Sequence, residues 1–354
     1  MARSGAELFD EWMPKHRQWR MCQRGIHSSE LPQLTDQLFA DNAVINMCFP
    51  FGTLRGASEW IEHCFEHLIS AVPDLERRDT IVICNQDQDG HTWIGCCGFY
   101  CGTFSAPLLQ IPPTGQFFHM RFHEFYRLSE EGVVEVQAIW DLVEVMMQAN
   151  AWPMVPSLAR EGLVPGPATC DGIKAAQADP LLSASNVQHV IQMLEKLQQH
   201  PSQGGPEVMS MNTFWHPHMT WYGPAGIGTC RGLSGFRHWH QIPFLNAMPD
   251  RGQYESETRC HFFAHDNYVA VTGWPNMAQT LSSGGWLGIA PSGQKITLRS
   301  LDFWRIEDKK IVENWVLVDL LDVYDQLGVD VFARLKEFNK SRPSGPINLP
   351  QERL

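Results

Sequence analysis

Lysine is scarce in this 354-residue chain. Only eight of its 27 basic residues are lysines, and none lies between Lys15 and Lys174. A Schiff-base or phosphate-loop lysine is therefore excluded from that whole stretch. The 27 basic residues are outnumbered by 39 acidic ones, a net charge of −12. Clusters of Lys and Arg that would meet phosphates are missing, which argues against nucleic acid or an anionic membrane surface as a partner. No apolar run approaches the roughly 18 residues of a membrane-spanning helix. The opening MARSGAELFDEW turns acidic and polar where a secretion signal would need an apolar core. The ten cysteines include no CxxC pair, so reduced thiols and a cytoplasmic location are expected. Cys96, Cys97 and Cys101 would point to different faces of a strand and read as small apolar filler. HExxH and GxSxG are also missing. What is present is enough apolar sequence for real cores, 44% of residues against 19% charged. At about 150 residues per domain the length corresponds to roughly two domains.

The chain repeats itself, and that is its most informative feature. Residues 39–74 align without gaps on 215–250: Gly52, Thr53, Arg55, Gly56, Pro73 and Asp74 fall on Gly228, Thr229, Arg231, Gly232, Pro249 and Asp250. Residues 113–148 align on 291–326. There PTGQ meets PSGQ, Arg121, Phe125 and Arg127 meet Arg299, Phe303 and Arg305, and Asp141 and Gln148 meet Asp319 and Gln326. Two blocks in the same order at nearly one offset indicate a duplicated domain. The predicted layout is a first domain over 1–152, a Pro/Gly-broken linker over 153–184, a second domain over 185–340 and an extended tail over 341–354.

Each copy reads alike. A short strand (43–47; 219–222) leads through a Gly-rich turn into a helix (58–71; 234–247) that Pro-Asp stops. Several strands follow in copy one (79–84, 91–101, 117–128), and a long last strand (133–145; 311–323) closes each copy. Residues 185–200 read as an amphipathic helix. Helices first and a meandering sheet after predict α+β, with a curved, mostly antiparallel sheet that leaves a concave pocket. GPAGIGTCRG (residues 223–232) is not a dinucleotide loop, because Arg231 stands where the third glycine belongs. It reads as a pocket rim.

The run from Phe303 to Gly328 resembles the C-terminal hairpin of SnoaL-like proteins of the NTF2-like superfamily. It has Trp304-Arg305, a polar turn, Ile311, Glu313, Trp315, Asp319 and Gln326-Leu327-Gly328. Copy one departs from this pattern, with Gln137 in place of the Trp and Gln148-Ala149-Asn150 at the end. The resemblance implies two tandem cone-shaped α+β barrels, each around a deep apolar pocket. It implies acid/base chemistry without a cofactor, as in polyketide cyclases: cyclisation, isomerisation or hydration of a small hydrophobic or polyketide-like carbonyl compound. A homodimer is expected. The rival readings are a module that only binds a small molecule, or a scaffold in which copy one supports copy two.

Alternation along residues 311–323 sets Trp315 and Asp319 on one face. Beside Trp and Leu on a concave face a carboxylate is desolvated and becomes a general base. The other reading of Asp319 is a strut paired with Arg299, which itself reads as an enolate-stabilising cation or a salt-bridge partner. His240 shares a helix face with Phe236 and Phe244. It is either a second polar group of the pocket or a core histidine. Trp221, Tyr222, Phe236, Trp239, Trp274 and Trp315 are candidate pocket walls, or core and interface packing. In copy one, Asp141, Arg121, His119 and His123 are the corresponding group, with Asp141 leaning to structure. No metal site is expected: His63 and His67, His216 and His218, and His238 and His240 lack a completing ligand set.

Overall fold

The computed structural model describes residues 5–22, 31–162, 164–343 and 345–347. The first half contains α1 (Gly5–Cys22), α2 (Leu31–Leu38), β1 (Phe39–Met47), β2 (Thr53–Arg55) and α3 (residues 56–71). It continues with β3 (Glu76–Gln86), β4 (Thr92–Thr103), β5 (Phe117–Ser129), β6 (Gly132–Trp140) and α4 (Leu142–Gln148). The second half begins with α5 (Pro180–Gln198), β7 (Trp215–Tyr222), β8 (Thr229–Arg231) and α6 (residues 232–247). Then come β9 (His261–His265), β10 (Tyr268–Thr272), β11 (Met277–Thr280), β12 (Lys295–Leu298), β13 (Ser300–Glu307), β14 (Lys310–Val318), α7 (Leu320–Gln326) and α8 (Val331–Phe338).

The two halves have the same topology. One sheet is ordered β2-β1-β6-β5-β4-β3 and the other β8-β7-β14-β13-β10-β9. In each, one pairing is parallel (β1 with β6, β7 with β14) and the remaining pairings are antiparallel. Both sheets are open, with edge strands β2 and β3 in one and β8 and β9 in the other. The duplication and the α+β class expected from the repeat therefore hold.

Three boundaries differ from the sequence reading. The last strand of each copy stops at Trp140 and Val318, because the next residue is a helix N-cap. Asp141 accepts from Glu144 N and Asp319 from Asp322 N, which starts α4 and α7. The helix expected from residue 185 begins at Pro180, capped by Asp179 with Pro at its first position. The linker is a bound strap rather than a spacer: Gly172 O and Lys174 N pair with Val82 of β3, and Arg160 bridges to Thr229. The tail runs back over the first domain, where Ile347 N bonds Ser105 O. Residues 348–354 lie outside the described set.

The sheets pack on each other. Phe125 of β5 and Phe303 of β13 stack at 5.1 Å, and Phe263 meets Phe125 at 5.9 Å. Gly95 makes room for this cluster: a Cβ there would lie 3.1 Å from all three rings. The contacts are reciprocal. Asp141 Oδ2 accepts from Ala225 N, and Asp319 Oδ2 accepts from Phe49 N, its counterpart under the repeat. Reciprocal contacts of this kind are the signature of a two-fold interface, here built within one chain.

Candidate functional site

A cavity of about 160 Å³ lies in the second domain, between the concave face of its sheet and the helices α5 and α6. The sheet contributes Ser300, Asp302 and Trp304 of β13 and Asn314, Val316 and Val318 of β14. These are the even-numbered residues. Glu313, Trp315 and Leu317 project to the other face, toward the first domain and the strap. The predicted facing was out of phase by one residue, which inverts every side chain of a strand.

Helix α6 supplies Phe236, His240, Gln241 and Phe244. Its middle turn, Arg237–Gln241, is a π-helical turn, and the first domain has the same irregularity at Ile61–Phe65. Such turns re-aim side chains and are frequent at functional sites. Here adjacent residues 240 and 241 both reach the cavity. The His240 ring stacks on Trp221 at 4.2 Å.

Several polar atoms around the cavity have no protein partner although they are buried: Trp215 Nε1, His240 Nδ1, both amide atoms of Gln241 and of Gln279, Trp286 Nε1 and Trp304 Nε1. Gln241 and Gln279 are 2% and 1% exposed. Each buried polar group left unpaired costs about 1–3 kcal/mol, so the wall offers hydrogen bonds to whatever enters the cavity.

Asp302 is the carboxylate on the sheet side of this wall, while the exposed Glu255 stands at its rim. Ser300 Oγ donates to it at 2.6 Å. Burial pushes its carboxyl up to about 7, against the Ser300 hydrogen bond and the charge of Arg251. Arg251 is drawn down to about 10 by burial, partly offset by Asp302. Burial and the nearby Arg251 hold His240 at about 3, so its imidazole is neutral at pH 7. A carboxylate that gains and loses a proton near neutrality, a neutral imidazole and a cation thus share one apolar chamber. That combination can move a proton and stabilise an oxygen anion.

The first domain has the same chamber filled. Glu124 stands at the position of Asp302. It is fully buried and accepts from Arg77 Nη1 (2.6 Å), Tyr126 OH (2.6 Å), Tyr100 OH (2.9 Å) and Trp140 Nε1 (2.9 Å). Cys64 and Phe65 replace His240 and Gln241, and Trp60 replaces Phe236. Trp19 from α1 packs edge-on against Phe65.

Of the residues singled out from sequence, His240, Trp221 and Phe236 line the second-domain cavity. The others lie elsewhere. Asp319 is 3.0 Å from Arg299 Nη1 and 3.0 Å from Phe49 N, at the domain interface. Burial raises its carboxyl to about 6, with Arg299 opposing. Arg299 sits over the Trp274 ring at 4.6 Å and also pairs with Asp322. Tyr222 stacks on Trp315 and donates to Glu313, while Trp315 Nε1 donates to the strap at Pro165 O. Trp239 is 48% exposed. In copy one, Arg121 pairs with Asp141 at 2.7 Å, whose carboxyl burial raises, and His123 Nδ1 bonds Leu301 O at 2.6 Å across the interface. His119 and Arg121 line a separate crevice between the domains. Sequence reasoning missed Asp302, Arg251, Gln241 and Gln279. A correct phase for β13 would have found Asp302, two residues from Trp304.

Among the described residues, one cluster has metal-ligand chemistry: Asp87, Asp89, His91 and His261 bring their ligand atoms within 4.8 Å of one another. Its central carboxylate is already engaged, since Asp87 accepts from Asp89 N, His91 N, Trp93 Nε1 and His261 Nδ1. It joins the two domains as a polar staple.

The family model described as SnoaL-like polyketide cyclase matches residues 19–149 and 206–327. No curated protein matches the chain. Solved structures similar to it include TsrD from Streptomyces laurentii, at 22% identity over 40% of this chain and 96% of that one, with a TM-score of 0.32. A SnoaL-like polyketide cyclase from Agrobacterium tumefaciens is 16% identical over 40% of this chain and 98% of its own, with a TM-score of 0.31.

Proposed function

We propose that this chain, which belongs to the SnoaL-like polyketide cyclase family, carries one working site, in its second domain, and that Asp302 is the acid/base group there. The reading rests on one observation. The cavity wall of the second domain carries buried polar atoms without partners around Asp302, whereas the matching Glu124 is sealed by four donors.

The substrate class is a small hydrophobic or polyketide-like carbonyl compound. Ionised Asp302 takes a proton from the carbon next to a carbonyl. The indole N–H groups of Trp215, Trp286 and Trp304 and the charge of Arg251 stabilise the enolate oxygen that results. For cyclisation the enolate carbon attacks a second carbonyl of the same molecule. The new alkoxide then recovers the proton from Asp302, so no co-reactant is consumed. His240, neutral and stacked on Trp221, positions the ligand ring. The first domain serves as a scaffold. Asp319 and Asp141 act as reciprocal struts between the domains rather than as bases.

The experiment follows proton exchange at the α-carbon of 2-acetylnaphthalene in D2O by NMR. Wild-type protein should accelerate exchange and Asp302→Asn should not. Saturable binding without acceleration would instead support the module that only binds.

A further inference from the structure

A second cavity, of about 420 Å³, opens between the domains and is separate from the chamber around Asp302. Phe117 and Met147 wall it from the first domain, and Pro224 and Ala225 from the second. His119 and Arg121 also line it and are 5% and 6% exposed. Both carry a buried nitrogen without a partner: His119 Nε2 and Arg121 Nε.

The hydrogen-bonding capacity of the two side chains follows from their neighbours. His119 Nδ1 is 3.0 Å from Glu144 Oε1, and its ring packs on Phe99 at 4.5 Å. In the neutral imidazole, a carboxylate on Nδ1 selects the tautomer with hydrogen there, which makes Nε2 the acceptor. Arg121 spends Nη2 on Asp141 and on Gly223 O. Its Nε–H lies 3.9 Å from Glu144 Oε2, too far for a hydrogen bond, and remains a donor. The crevice thus offers one acceptor and one donor. With His119 neutral, the cations Arg121 and Arg160 are met by Asp141, Glu144 and Glu161, so the crevice has no excess positive charge to hold an anion.

The repeat shows that the imidazole is not needed to hold the fold. Gln148 clamps the backbone of His119, accepting from His119 N at 3.0 Å and donating to His119 O. Gln326 makes the same clamp on Thr297, the counterpart of His119, at 2.9 Å each way. A threonine does the structural task in copy two, so the histidine is surplus to it.

We propose that this crevice is a second ligand site for a neutral, roughly two-ring apolar compound carrying a hydroxyl and a carbonyl. The hydroxyl donates to His119 Nε2, and the carbonyl accepts from Arg121 Nε. A volume above 300 Å³ is in the range of small-molecule sites. The site does not depend on the reading of Asp302.

The test titrates the intact protein with 2-naphthol and follows the histidine ring nitrogens by long-range 1H–15N spectra. His119 in the crevice and His240 in the chamber report separately. A saturable shift of His119 Nε2 is expected. The affinity should be about tenfold weaker for 2-methoxynaphthalene, which lacks the donor. His119→Thr should keep Tm and lose the crevice binding, and Asp302→Asn should leave that binding unchanged. An unmoved His119 ring at saturating 2-naphthol, equal affinity for the two probes, or crevice binding that survives in His119→Thr overturns the proposal. If His119→Thr does not fold, the ring titration and the two-probe comparison on the wild-type protein decide it.

Discussion

Replacing Asp302 by asparagine should make the protein more stable at alkaline pH and less active, a pairing that a structural carboxylate would not give. Burial raises this carboxyl from an ordinary 3.8 to about 7. Holding the carboxyl at about 7 costs the ionised native state about 4 kcal/mol relative to the unfolded chain. Between pH 4 and 7 the native state keeps a proton that the unfolded chain has released, so stability falls as pH rises through that window. Above pH 7 the full cost is present. The Asp302→Asn side chain would keep the hydrogen bond from Ser300 and remove the charge. Water entering the chamber screens part of the cost, so the expected gain at pH 8 is about 1–4 kcal/mol, shrinking to near zero at pH 4. Urea unfolding of both proteins at the two pH values measures it. Over the same range the wild-type rate should climb about tenfold from pH 6 to pH 8 as the base form fills, and the variant should lose about 10²- to 10⁴-fold. An asparagine variant that is less stable at pH 8, or one that retains turnover, refutes the assignment.

Three further outcomes are expected. Asp319→Ala and Asp141→Ala each remove an arginine's carboxylate partner and the acceptor of an interdomain N–H; stability should fall by about 3–5 kcal/mol for Asp141→Ala, beside buried Arg121, and by less for Asp319→Ala, because half-buried Arg299 keeps Asp322; turnover per folded molecule should survive, as thermal melts with activity on the soluble fraction will show. Gln241→Met and Gln279→Met remove buried amides that lack partners, so each should raise stability by about 1 kcal/mol while weakening ligand affinity, read by calorimetry. The nine cysteines described are free, and Cys170 is the exposed one, so a thiol reagent should modify native protein fastest at Cys170 and titrate ten thiols after non-reducing denaturation; recovery of six or fewer would contradict the reduced state.

The fold was legible because duplication doubles the signal. Arg-Gly after a Gly-rich turn, Pro-Asp at a helix end and an aromatic-Arg pair before a polar turn each occurred twice, in order. Strand boundaries were less legible for a local reason. Val-Asp-Leu-Leu-Asp continues the apolar pattern of β14, and only the cap hydrogen bond from Asp322 N to Asp319 ends the strand. An aspartate at a strand's end and an aspartate at a helix's start look alike in sequence. That ambiguity carried the proposed base from the chamber to the interface.

The site itself was legible only in part, because a strand buried on both faces has no polar side to set its phase. In β13, Leu301, Phe303 and Arg305 face the other domain, while Asp302 and Trp304 face the chamber. Both sets contain apolar and charged residues, so alternation alone could not choose between them. The discriminating information was in the comparison of the copies. Equivalent positions hold Glu124 against Asp302, Phe65 against Gln241 and Cys64 against His240. Along one face copy one holds a carboxylate sealed by four donors, and copy two holds a more open carboxylate among unpaired polar groups. Across the interface the arginine-aspartate pairs, Arg121 with Asp141 and Arg299 with Asp319, stayed the same. A group kept identical in both halves serves what the halves share, which is their mutual packing. A group that differs marks what only one of them does. By that rule Asp319 belongs to the interface, Asp302 is the residue to test for chemistry, and His119, which matches Thr297 across the repeat, is not needed as a strut.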